Sequence, residues 1–198
     1  LNRPDKLNPL GTRTLHELVE AARWFDARPQ VKVVVVGGAG RAFSAGADLA
    51  VFADAGDDTA AMRAAADAGR QMAEAIEAMT AVTVARIHGH CVGGGLVLAA
   101  ACDLRIAAAT ARFAIPEVDL GIPLVWGGIP RLVREIGPAL TKELVMTCRP
   151  FGPAEAKSAG FLNNVLPEAD LDTAVEELVG ALLGKSALTL RATKRHTN

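Results

Sequence analysis

Two glycine-rich turns hold the residues whose types and spacing best suit chemistry. One runs from Gly40 to Leu49 (GRAFSAGADL) and the other from His88 to Leu96 (HGHCVGGGL). Both are nearly free of bulky side chains, so a ligand can approach the backbone closely. The second also opens a helix, and free N–H groups at a helix N-terminus attract negative charge. Either cluster alone is more often a plain tight turn than a binding site. Together, two turns at strand exits can offer a converging pair of amide donors to an oxyanion forming on a carbonyl.

Other chemistries find no support. Gly38 and Gly40 are followed by Phe43 where a dinucleotide fingerprint needs glycine, and no phosphate-binding Gly-Lys-Ser/Thr loop occurs. Ser44 precedes Gly46, but Ala42 stands where a nucleophile elbow needs glycine. His16, His88, His90 and His196 have no metal-ligand spacing with acidic or cysteine partners, so structural or surface roles are expected and no metal.

The elements that must position these turns follow from periodicity. Apolar residues at helical spacing predict helices over 11–27 and 59–79. Short β-branched runs predict strands at 31–36 and 82–87. The 93–95 glycines open an apolar helix to about Ala101. Further strands are expected at 104–107, 112–115 and 164–166, and helices at 129–136, 138–147, 153–159 and 168–183. Residues 54–59 read as a loop. Strands alternating with helices argue for an α/β fold with largely parallel pairing. No internal repeat is visible.

The chain has 198 residues, 51% of them hydrophobic, which suits one domain spanning 1–198. A net charge of −1 without a basic block argues against nucleic acid. No apolar run approaches the roughly 20 residues that span a bilayer, so no membrane partner is expected. Three scattered cysteines form neither a metal set nor a disulfide framework, and a reducing cytoplasm is the expected location. The abrupt ends suggest truncation at both termini.

Five motifs in order carry a resemblance: residues 1–8 (LNRPDKLN), 40–49, 89–95, 102–107 (CDLRIA) and 115–121 (IPEVDLG). The chain resembles the enoyl-CoA hydratase/isomerase family, also called the crotonase superfamily. The resemblance implies a spiral of ββα units, and trimers often paired into hexamers. It also implies C-terminal helices beyond this end that help cover the acyl site. The implied partner is an acyl-CoA thioester, with coenzyme A part of the substrate and no separate cofactor. Ala47 and Gly94 are expected to supply the two oxyanion-hole amides. Ala45, Ala47 and Leu49 are expected along the adenine and pantetheine path, with Lys6 and Leu7 bordering it. Asp48 and Gly93 belong to the same binding turns. The side chain of Asp48, like that of Asp103, is expected to order its turn.

Hydratases of this family are understood to use two glutamates. Glu117 matches one of them, but Val97 stands where the other is expected. A valine neither orients water nor transfers a proton, and losing one acid–base group typically costs about 10²–10⁴ in rate. A single glutamate can still move a proton from C2 to C4 of an enoyl thioester, the route implied for the family's isomerases. Val125 and Trp126 then either narrow and dry the acyl pocket or simply pack the core. The expectation is an enolate-forming enzyme of the enoyl-CoA isomerase type. An enoyl-CoA hydratase of fatty-acid oxidation and a non-catalytic acyl-CoA binding protein are the alternatives.

Overall fold

The computed structural model describes residues 1–48 and 59–197. Six strands are present among them: β1 (Val33–Gly37), β2 (Val82–Ile87), β3 (His90–Val92), β4 (Leu104–Ala108), β5 (Arg112–Ala114) and β6 (Asn164–Leu166). The helices are α1 (Thr12–Asp26), α2 (Thr59–Ala78), α3 (Gly94–Ala101), α4 (Gly128–Thr147), α5 (Pro153–Ser158), α6 (Leu171–Leu183) and α7 (Ala187–Thr197). Short 3₁₀ turns occupy Pro4–Lys6 and Glu168–Asp170.

A four-stranded sheet in the order β1-β2-β4-β6 is parallel throughout, and a smaller parallel sheet pairs β3 with β5. Strand β2 is buried at every position but Arg86, as the middle of a parallel sheet covered on both faces requires. Helix α1 buries Leu15, Val19 and Ala22, an amphipathic stripe that packs on α2. Helix α3 is buried at all positions, which explains its unbroken apolar sequence.

The topology repeats although the residues do not. The units β2-β3-α3 and β4-β5-α4 follow one plan. A third unit comprises β1, the single parallel bridge of Ser44 to Cys91, and α2. This is the ββα arrangement that the resemblance implies. It brings the 40–48 and 88–95 turns side by side at the ends of neighbouring strands.

Most expected elements are present, with shifted edges. The first strand begins at Val33, not at position 31. Gly137, with φ 76 and ψ 164, breaks α4 before Pro138 and so separates the two helices expected there. Strand β3 was absorbed into the glycine turn in the sequence reading, because three residues show no period. Helix α7 lies beyond the last expected helix. It is anchored by Lys194, whose Nζ donates to the Ala81 carbonyl at 3.1 Å and to Asp103 Oδ2 at 2.8 Å. The loop expected at 54–59 lies outside the described residues except for Thr59, which begins α2.

Candidate active site

Glu117 follows β5 through Ile115 and Pro116, where the chain turns back and the Ile122 amide donates to the Glu117 carbonyl at 3.0 Å. Glu117 is only 9% exposed. A Cβ on Gly93 would fall 2.4 Å from its Oε1, and Gly93 has φ +50, so both space and backbone reserve that position for glycine. Oε2 is buried and accepts no hydrogen bond among the described residues. Burial pushes the Glu117 carboxyl above the ordinary glutamate value, partly offset by a hydrogen bond from its own backbone amide.

The carboxylate borders a cavity of about 240 Å³. Ala47, Gly94, Val97 and Ile122 to Trp126 line it. Thr59, Met62, Arg63 and Ala66 of α2 line it as well. Glu117 is the one carboxylate among the described lining residues.

The first turn is stitched on both flanks. Ser44 N donates to the His90 carbonyl at 2.9 Å, and Val92 N donates to the Ser44 carbonyl at 3.1 Å. Ser44 Oγ donates to the Asn8 carbonyl at 2.8 Å and accepts from Gly46 N at 3.1 Å. Asn8 Nδ2 donates to the carbonyls of Ala39 at 2.9 Å and Ala42 at 2.8 Å. A ring nitrogen of His88 meets the Gly40 carbonyl at 2.7 Å. The two turns touch: a Cβ on Gly46, where φ is +92, would lie 2.6 Å from the Val92 carbonyl oxygen and 3.4 Å from Gly94 N. Among the described residues, neither the Ala47 nor the Gly94 amide has a hydrogen-bond acceptor.

Of the residues singled out in the sequence, Ala47, Gly94, Val97, Glu117, Val125 and Trp126 share this cavity. Gly93 lies beneath the Glu117 carboxylate. Trp126 is 5% exposed and Val125 36% exposed, so core packing and pocket lining both hold for the tryptophan. Lys6, Leu7, Ala45 and Asp48 lie outside the cavity on the adjoining surface. Leu7 accepts the Ala45 amide at 2.8 Å, and Asp48 Oδ2 takes Arg3 NH1 at 3.1 Å. Leu49 lies outside the described residues. Asp103 Oδ2 accepts the Thr83 amide of β2 at 2.7 Å, a bond to a strand distant in sequence and not to an amide of its own turn.

The sequence reading missed Asn8, Ser44 and His88 as positioning residues, and the α2 wall at Thr59, Met62, Arg63 and Ala66. One signal for that wall was available. Gly69 sits inside an otherwise alanine-rich helix, where glycine costs about 1 kcal/mol. The cysteines are inert by position: all three are buried, and burial pushes the Cys102 thiol up to about 12. No described group of His, Cys, Asp or Glu is arranged to hold a metal. No described helix is long and apolar enough to cross a membrane.

A family model for enoyl-CoA hydratase/isomerase matches residues 1–198. The chain is 36% identical over 201 residues to a crotonyl-CoA hydratase of Syntrophomonas wolfei, covering 100% of this chain and 76% of that protein. It is 33% identical over 205 residues to the peroxisomal Delta(3,5)-Delta(2,4)-dienoyl-CoA isomerase of Arabidopsis thaliana, covering 98% and 74%. Among solved structures, a candidate enoyl-CoA hydratase from Thermobifida fusca YX in complex with CoA superimposes with a TM-score of 0.88. That pair is 33% identical over 98% of this chain and 77% of that one.

Proposed function

The chain belongs to the enoyl-CoA hydratase/isomerase family of acyl-CoA enzymes, and within it we propose an enoyl-CoA isomerase that works through a thioester enolate. The observation that carries this reading is buried Glu117, the one carboxylate among the described residues that line the apolar cavity it shares with Val97. Glu117 takes a proton from C2 of a 3-enoyl thioester. The electron pair moves onto the thioester oxygen, which accepts hydrogen bonds from the Ala47 and Gly94 amides. The C3–C4 double bond then shifts to C2–C3 as the same carboxyl returns the proton to C4. An apolar site raises the basicity of the glutamate and strengthens the two amide bonds to the oxyanion.

Hydration is the second reading, favoured by the crotonyl-CoA hydratase relative. It needs a second group that holds water in the cavity, and Val97 offers no polar atom for that. Parallel assays with 3-enoyl-CoA and trans-2-enoyl-CoA separate the two. The isomerase reading expects turnover of the first, lost by about 10²–10⁴ in Glu117→Gln, and little hydration of the second. Rapid hydration that survives Glu117→Gln sinks it.

A further inference from the structure

Taking the cavity at Glu117 as the acyl site, we propose that Trp126 sets the length of acyl chain it accepts and restricts it to short chains. The cavity runs along one face of α2. Thr59, Met62, Arg63 and Ala66 line it, and the next residue on that face is Gly69. From Met62 to Gly69 the helix advances about 10 Å. At Gly69 the space is taken by the indole: a Cβ there would fall 2.1 Å from Trp126 Cε2 and Nε1. The opposite edge of the ring reaches α3, where a Cβ on Gly94 would fall 2.2 Å from Trp126 Cζ3. The ring therefore spans the gap between the two helices and stops the cavity there.

Nothing polar accounts for that placement. Trp126 Nε1 is buried without a hydrogen-bond partner among the described residues, and the residue holds φ 61, a backbone region that tryptophan rarely adopts. Glycine at two separate helix positions and a left-handed tryptophan are together consistent with one requirement, a wide flat side chain across the end of the cavity. Beyond Gly69 the same helix face carries Met72, Ala73 and Ile76, all buried in the core.

The test is a binding ladder of butyryl-, hexanoyl-, octanoyl- and decanoyl-CoA, measured by calorimetry on the wild type, Trp126→Phe and Trp126→Ala. These saturated thioesters cannot be isomerised or hydrated, so the ladder is independent of which reaction the enzyme performs. Each methylene admitted to an apolar pocket adds about fourfold in affinity. The wild type is expected to stop gaining, or to lose affinity, after the shortest members. Trp126→Ala is expected to keep gaining through octanoyl-CoA, raising the octanoyl-to-butyryl affinity ratio by tenfold or more. Trp126→Phe should lie between and serves if the alanine variant fails to fold. Parallel ladders in wild type and folded variants overturn the proposal and leave the acyl site standing. No binding of any acyl-CoA to the wild type overturns both.

Discussion

Two carboxylates at the edge of the core lead opposite lives. Asp103, half-buried at the junction of β2, β4 and α7, is paired. Its Oδ2 accepts from Thr83 N at 2.7 Å, Thr83 Oγ1 at 2.9 Å and Lys194 Nζ at 2.8 Å. Glu117 in the cavity has a buried Oε2 with no partner among the described residues. A charge taken out of water is costly unless it is paired. At Asp103 the pairing ties a terminal helix to the sheet. At Glu117 the lack of pairing favours the protonated form and leaves an oxygen free to take a proton. The contrast teaches that burial alone does not mark a functional acid. Burial without a partner, facing open space, is the mark.

The largest test of this contrast is to break the satisfied pair. Lys194→Ala leaves Asp103 without its cation and should cost on the order of 3 kcal/mol, read from urea unfolding. Activity per folded molecule should be unchanged; a loss of activity without a loss of stability would place Asp103 in the chemistry. Next is Gly94→Ala. Its methyl would meet Trp126 at 2.2 Å, and overpacking of this kind costs about 1–3 kcal/mol. It should also lower affinity for acyl-CoA, because the wall of the cavity must shift.

A smaller effect concerns pH. Burial raises the folded-state pKa of Glu117 above its unfolded value, so the folded protein binds this proton more tightly. Stability from this group is present at low pH and is lost as pH rises between the unfolded and folded values. Glu117→Gln lacks that loss. Its unfolding midpoint should therefore rise relative to wild type as the pH climbs above the ordinary glutamate range. Under the proposed proton transfer by Glu117, the same raised pKa gives the acid limb of kcat/KM, with activity rising with pH through a midpoint above that of an ordinary glutamate. The smallest effect is expected at Arg149, which bridges Glu143 and Glu155 at the surface. Arg149→Ala should change stability by at most about 1 kcal/mol, less in high salt.

Much of this arrangement was legible in the sequence. Helical and β-branched periods located α1, α2, β2 and α6 closely, because each buries a continuous face or run. The glycine turns at 40–48 and 93–95 could be read because small residues at a strand exit have few other uses. Glu117 was found through the motif resemblance and Val97 by its departure from it. Strand β3 and helix α7 were not legible: one has too few residues to show a period, and the other is held mainly by Lys194 reaching a distant Asp103. The positioning roles of Asn8, Ser44 and His88 were also hidden, since each bonds a backbone group brought near by folding.

Residue types and their order suffice for the parallel α/β class, the two turns and the pairing of Glu117 with a valine at position 97, because backbone freedom, periodicity and side-chain chemistry are local properties. Folding alone brings Ala47, Gly94, Val97 and Glu117 to one cavity and sets Trp126 between Gly69 and Gly94. Those contacts join residues far apart in the chain. They depend on which surfaces pack, on where a missing Cβ leaves room, and on which polar atoms the packing leaves without a partner.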